Sequence, residues 1–247
     1  MSTAPMTNAQ EPTAYAQRLA AVREMIAATC KACGRDPSSV SLLAVSKTFP
    51  IAAVDAVAAA DQRAFGENYA QEGVEKATTR PDLAWHFIGP IQSNKTRGIA
   101  ERFSWVHSID RLKIAERLSA QRPVNLPPLQ VCVQVNIDGE ATKSGCAPSE
   151  ALALCQAIAA LPQLQLRGLM AIPKPTSDTS TQRRNFAALR ILRDTINDAD
   201  ASLNLDTLSM GMSDDLESAI IEGTTIVRVG SAIFGPRTYT NTSATEL

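Results

Sequence analysis

Ser41-Leu42-Leu43-Ala44-Val45-Ser46-Lys47-Thr48 is a largely apolar run that closes on a lysine, with Pro50 two residues beyond. A charge at such a position ordinarily marks where a strand meets solvent. The competing reading puts Lys47 at the carboxyl mouth of a buried strand, where α/β folds place their chemistry. Near the other end of the chain, Thr225 to Val229 forms a second apolar run that contains Arg228 and ends in Gly230-Ser231. Ser209-Met210-Gly211-Met212-Ser213 precedes a helix-forming segment, whose free N–H groups and dipole favour a phosphate. Such glycine-serine segments are most often plain turns. A lysine held beside Arg228 in a low-dielectric interior has a lowered pKa, and a neutral amine forms a Schiff base with an aldehyde.

Bringing these groups together requires alternating strands and helices. Tyr15, Leu19, Val22, Ile26 and Cys30 recur at threes and fours, which predicts an amphipathic helix over 13–33 that Gly34 stops. Strands are expected at 41–48, 64–69, 83–89, 104–109, 129–137, 164–172, 205–210 and 225–229. The helices between them fall at 51–60, 70–79, 93–103, 111–122, 148–160, 181–199 and 214–223. Pro50 suits the first turn of its helix, Asp110 reads as a cap, and Asp214 with Glu217 reads as a capping box. This alternation predicts an α/β protein, a single-domain (β/α)8 TIM-type barrel with an additional N-terminal helix that covers the seam beside the eighth strand. The barrel spans 13–237, between loose ends at 1–12 and 238–247. An open doubly wound sheet is the alternative, weakened by the lack of a GxGxxG after the first strand.

Period-two alternation groups Leu43, Val45 and Lys47 on one face of the first strand, and Ile226, Arg228 and Gly230 on one face of the eighth. Those strands are neighbours in a closed barrel, so Lys47 and Arg228 are expected to project inward and lie close. Two inward cations ask for an anion or an electron-poor ring. An aldehyde, a phosphate and an aromatic nitrogen together describe pyridoxal phosphate (PLP). A sugar-phosphate aldolase or isomerase fits the same residues equally well.

Lys and Arg total 24 against 25 Asp and Glu, a net charge of -1 that argues against a general nucleic-acid binder. Residues 1–12 lack an apolar core and no stretch of 18 apolar residues occurs, so a cytoplasmic protein without a membrane partner is expected. Five irregularly spaced cysteines form no disulfide framework, and Cys30 and Cys33 lie late in a helix without a redox fold beside them. His86 and His107 are too few for an ordinary zinc site and read as structural hydrogen bonders. Lys95 and Lys143 read as solvated loop lysines.

Taken in order, the segments resemble those of the pyridoxal phosphate homeostasis proteins, the YggS/PROSC-type group. They include Ala44-Val45-Ser46-Lys47-Thr48, Phe65-Gly66-Glu67-Asn68-Tyr69, Trp85-His86-Phe87-Ile88-Gly89 and Gln92-Ser93-Asn94-Lys95. Val106 to Asp110, Val135 to Glu140 with Lys143 to Gly145, Gly168-Leu169-Met170, Leu208 to Asp214 and Val227 to Gly230 complete the set. The resemblance implies a barrel like the N-terminal domain of alanine racemase. It implies PLP on Lys47, the phosphate held by Ser209, Gly230 and Ser231 with the Gly211 segment, and Arg228 near the pyridine nitrogen. Asn68 and Met170 would line the ring, and Ser231 stands where relatives often have threonine. An arginine at the nitrogen leaves it unprotonated and weakens PLP as an electron sink.

Racemisation needs a second base beside the lysine. Tyr15, Tyr69 and Tyr239 are the only tyrosines, and Tyr69 alone falls near a strand mouth. The expectation is therefore a monomeric carrier that buffers PLP or delivers it to apo-forms of PLP-dependent enzymes. The rival is a PLP-dependent racemase or lyase that uses His107 or Tyr69 as its second base.

Overall fold

The computed structural model describes residues 11–140 and 144–236. Strands and helices alternate as α1 (Glu11–Ala32), β1 (Ser41–Val45), α2 (Ile51–Ala59), β2 (Ala64–Glu67), α3 (Ala70–Thr79), β3 (Ala84–Phe87), α4 (Thr96–Arg102), β4 (Trp105–Ile109) and α5 (Leu112–Gln121). They continue as β5 (Leu129–Gln134), α6 (Ala151–Ala159), β6 (Leu164–Met170), α7 (Thr179–Ala199), β7 (Thr207–Ser209), α8 (Leu216–Ile221), β8 (Ile226–Val229) and a four-residue α9 (Ser231–Phe234). All eight strands are parallel and close in sequence order, β8 pairing back onto β1, so the open sheet is excluded. The expected loose ends at 1–10 and 238–247 and the Lys143 position lie outside the described residues, while Glu11 and Pro12 belong to α1.

The expected additional helix covers the seam. α1 packs on α2, α8 and α9. Arg18 Nε donates to Ile233 O at 2.7 Å, and Arg35 donates to Ile220 O and Thr224 O. Several element ends differ from expectation for local reasons. β1 stops at Val45 because Phe49 N donates to Ser46 O and closes a turn over 46–49. α7 starts earlier than expected because Asp178 accepts from Ser180 N and Thr181 N as a true N-cap. Asp110 pairs with Arg111 and does not cap α5. Pro50 is the N-cap residue of α2, just outside its first turn. The expected capping box at Asp214 does not form: Asp215 is the N-cap residue of α8 without a side-chain cap bond, and its Oδ1 accepts from Met212 N at 2.6 Å instead.

Alternation divides the core in two. The larger part lies between sheet and helices, whereas Leu43, Val45, Ile88 and Ile226 form a separate cluster within the barrel. Gly66 belongs to this inner face, since a Cβ there would meet Leu43 Cδ2 at 3.1 Å. Beside that apolar layer lies a polar one. His86 Nδ1 stands 3.0 Å from His107 Nε2, both side chains are buried, and the His86 ring stacks on Trp105. The structural reading of both histidines agrees with this pairing.

Burial holds both imidazoles neutral. It pushes His86 down to about 3 and His107 well below its ordinary value, with the neighbouring His86 and Arg228 charges adding to the effect on His107. In the unfolded chain both protonate near about 6.5. From that pH down to about 3 the unfolded state binds protons that the fold refuses, so stability falls as pH falls. The slope is at most about 1.4 kcal/mol per pH unit for each histidine. The urea midpoint should therefore drop between pH 7 and pH 5, and a His86→Asn, His107→Gln protein should show a flatter profile. A wild-type midpoint constant across that interval would contradict neutral burial.

Candidate functional site

The polar residues converge at the carboxyl ends of the strands. Arg228, on the inner face of β8, is 3% exposed, and its guanidinium has no carboxylate within ion-pair distance among the described residues. Nη1 donates to Ser209 Oγ at 2.8 Å and Nη2 to Ala171 O at 3.0 Å. Desolvation lowers Arg228 to about 10, opposed by the more distant Asp215, so it keeps its charge at neutral pH. Ser209 Oγ also lies 2.7 Å from His107 Nδ1. Donor counting fixes the first bond of this chain. Arginine can only donate, so Ser209 Oγ accepts from it, and the tautomer of His107 sets which way the Ser209–His107 and His107–His86 bonds run. The hydroxyl of Ser209, expected on a phosphate, is thus engaged by Arg228 and His107.

Ser213 and Ser231 present another pair of hydroxyls, with their oxygens 3.2 Å apart where the ends of β7 and β8 meet. Gly230 comes close to β1, since a Cβ there would lie 3.2 Å from Val45 O. Gly211 has φ 92°, and a Cβ there would meet Ala219 Cβ at 2.5 Å, so this position needs glycine for both its backbone and its packing on α8. Its carbonyl accepts from Arg228 N at 3.0 Å, which ties the segment to β8. Burial pushes the Asp215 carboxyl up, while the Met212 N–H and the Arg228 charge act against that shift. Ser213 lay within the glycine-marked segment, yet only its meeting with Ser231 distinguishes it from an ordinary turn serine.

Lys47 is half-buried and sits in the 46–49 turn at the end of β1. The register sets Leu43 opposite Arg228, so Lys47 lies four residues further toward the mouth, on the same seam but at another level. Thr48 has φ 69°. A β-branched residue in the left-handed region carries strain of about 1–3 kcal/mol. Asn68 lies at the end of β2 beside a cavity of about 190 Å³ lined by Ile88, Pro90, Gln134, Ser144 and Ile172. Its Oδ1 is buried without a hydrogen-bond partner, an acceptor that a donor entering the cavity would satisfy. Met170, fully buried at the end of β6, pairs in register with Gln134.

These residues suit a flat, phosphorylated carbonyl compound. They provide an amine at the mouth, a hydroxyl pair at two adjoining strand ends, an unsatisfied acceptor beside a cavity, and a fixed inner cation. Of the second-base candidates, His107 is sealed within the barrel and Tyr69 is 56% exposed at the start of α3. Lys95 is exposed in a short 3-10 turn ahead of α4.

The alanine racemase N-terminal domain family matches residues 17–238. A pyridoxal phosphate homeostasis protein of Pseudomonas aeruginosa is 60% identical over 226 residues, covering 91% of this chain and 96% of its own. One from Escherichia coli is 50% identical over 234 residues, covering 91% of this chain and 97% of its own. PipY of Synechococcus elongatus, solved with PLP bound, superposes with a TM-score of 0.78 at 37% identity over 90% of this chain and 100% of that one. Alanine racemase of Corynebacterium glutamicum superposes at 0.69 over 94% of this chain and 64% of its own, and at 16% identity that likeness shows the shared barrel alone. By the extent of these matches, the chain belongs to the alanine racemase N-terminal domain family, in its group of pyridoxal phosphate homeostasis proteins.

Proposed function

We propose that this protein binds PLP as a Schiff base on Lys47 and buffers it or delivers it to apo-forms of PLP-dependent enzymes, without being an efficient enzyme itself. It does so as a cytoplasmic monomer. The observation that carries this reading is the gathering at one barrel end of Lys47, the Ser213–Ser231 pair and the carboxylate-free Arg228. The relatives named for PLP homeostasis and the PLP-bound PipY support the same ligand. Among the described residues no helix is long and apolar enough to cross a membrane.

When bound, PLP supplies an aldehyde and an electron-poor ring. Lys47 would hold the aldehyde carbon through its amine. Ser231, Gly230 and the Ser209–Ser213 segment receive the phosphate, with Ser213 joining the expected residues through its hydroxyl pair with Ser231. Gly211 shapes that segment, and the Ser209 hydroxyl steadies Arg228. Asn68 and Met170 line the ring. A charged Arg228 beside the pyridine nitrogen disfavours its protonation, which limits carbanion stabilisation and favours holding over turnover.

Mixing the protein with PLP should give a visible absorbance band that borohydride bleaches, and Lys47→Ala should lack it. A Lys47→Ala band equal to that of wild type would refute the anchor. The carrier reading expects amino-acid racemase turnover below about 1 s⁻¹, the low end of ordinary enzymes. Faster turnover, with stereospecific loss of the α-hydrogen in deuterated water, would make the racemase or lyase reading correct, with Tyr69 as the second base to mutate.

A further inference from the structure

Lys76 lies in the last turn of α3, where a lysine ordinarily reaches into solvent, yet its side chain is 7% exposed. All three ammonium donors are used. Nζ lies 2.8 Å from Ser46 O, 2.7 Å from Glu67 Oε1 and 2.7 Å from Glu72 Oε1. Both carboxylates also reach the turn that carries Lys47. Glu67 Oε1 accepts from Ser46 Oγ at 2.6 Å, and Glu72 Oε1 accepts from Thr48 N at 2.7 Å. The residue on each side of Lys47 is therefore bonded to one ionic cluster.

We propose that Lys76, Glu67 and Glu72 are positioning residues that hold the 46–49 turn, and so fix where Lys47 meets its ligand. The inference rests on Lys47 being the anchor. Three features favour positioning over a merely structural ion pair. A buried ion pair is weak evidence for stability, because desolvation cancels most of its attraction. This one leaves Glu67 Oε2 buried without a partner, and burial pushes the Glu67 carboxyl up against the opposing pull of Lys76 and Ser46. The cluster also meets the chain at Thr48, one of three non-glycine residues with positive φ among the described residues. A positive φ at the third position of a turn, with none at the second, is the type II pattern that favours glycine or asparagine. Threonine persists there because its N–H is held by Glu72 and the Ser46 carbonyl by both Lys76 and Phe49 N. Strain maintained by a dedicated cluster, next to the lysine that binds, signals a conformation selected for function.

Glu72 is the residue to change first, because its side chain is 26% exposed and its loss leaves the Lys76–Glu67 pair in place. Four variants of the full chain are titrated with PLP, following the borohydride-sensitive band. Exchange of the Thr48 amide is measured without PLP, and thermal stability is recorded for each. Glu72→Ala should weaken PLP binding about three- to tenfold and speed Thr48 exchange, as expected for one lost hydrogen bond. Glu72→Gln keeps an acceptor for Thr48 N and should recover most of the loss. In a Thr48→Gly background, where the turn is unstrained, Glu72→Ala should cost less than about twofold. If Glu72→Ala lowers the melting temperature but binds PLP like wild type, the cluster is structural and the proposal fails. Equal losses with and without Thr48→Gly would also overturn it. The Lys47→Ala control separates these outcomes from failure of the anchor, since only a band persisting in that variant removes Lys47 itself.

Discussion

A guanidinium taken out of water gives up hydration worth several kcal/mol, and the interior must return it through hydrogen bonds. Arg228 recovers it from two neutral oxygens, Ser209 Oγ and Ala171 O, with no carboxylate against it among the described residues. That choice propagates. Because the arginine donates, the serine accepts, and the same hydroxyl meets His107 Nδ1 while His107 Nε2 meets His86 Nδ1, in an order set by the His107 tautomer. Either imidazole, if protonated, would break this order and set a cation beside Arg228, so burial and charge both drive the histidines neutral. One chain of polar contacts thereby joins β3, β4, β7 and β8, and Ala171 adds the end of β6. Arg228 is fixed in place by the shape of the barrel, while the charge it carries stays available.

The other cation is held by the opposite strategy. Lys47 lies half-buried in a turn beyond β1, between Ser46 and Thr48, both of which are bonded to an ionic cluster. Glu67, Glu72 and Lys76 come from β2 and α3, the element pair that follows β1, so the cluster is a local clamp on one corner of the barrel. The barrel interior sets Arg228 through neighbours as distant in sequence as Ala171, whereas the clamp acts on Lys47 through residues fewer than about 30 positions on. A mouth built this way is held by interior contacts on one side and by a local ionic clamp on the other.

Periodicity made the barrel readable, since eight apolar runs alternating with helical segments leave few ways to bury both faces of a parallel sheet. Arg228 was readable for the same reason, because period-two alternation marks the inner face of β8, whereas Lys47 lies in the turn beyond β1, where that alternation no longer runs. The level at which each sits was not. It depends on the Leu43–Arg228 register and on the turn at Thr48, a conformation that a threonine does not announce. Glu72 and Lys76 look in sequence like a solvated i,i+4 pair, and only the fold shows that Ser46 and Thr48 reach them. Ser209 and Ser213 are equivalent on paper. One turns inward to Arg228 and the other meets Ser231, a division made by which β7 residue faces the interior.

The same division bears on whether a barrel of this kind turns over substrate. A second base must approach the α-carbon of an amino acid from the face opposite the lysine and must titrate near working pH. His107 has the right chemistry in isolation, but its Nδ1 faces Ser209, its Nε2 faces His86, and burial holds it far below the range in which a base is useful. His107 and Arg228 thus share the Ser209 hydroxyl, and a proton change at one is felt at the other. Tyr69 has no such conflict, but it is more than half exposed at the start of α3, where water competes for its hydroxyl. The interior that holds Arg228 as a cation is thus the interior that keeps His107 neutral and sealed, which is why the proposed reading is of a carrier.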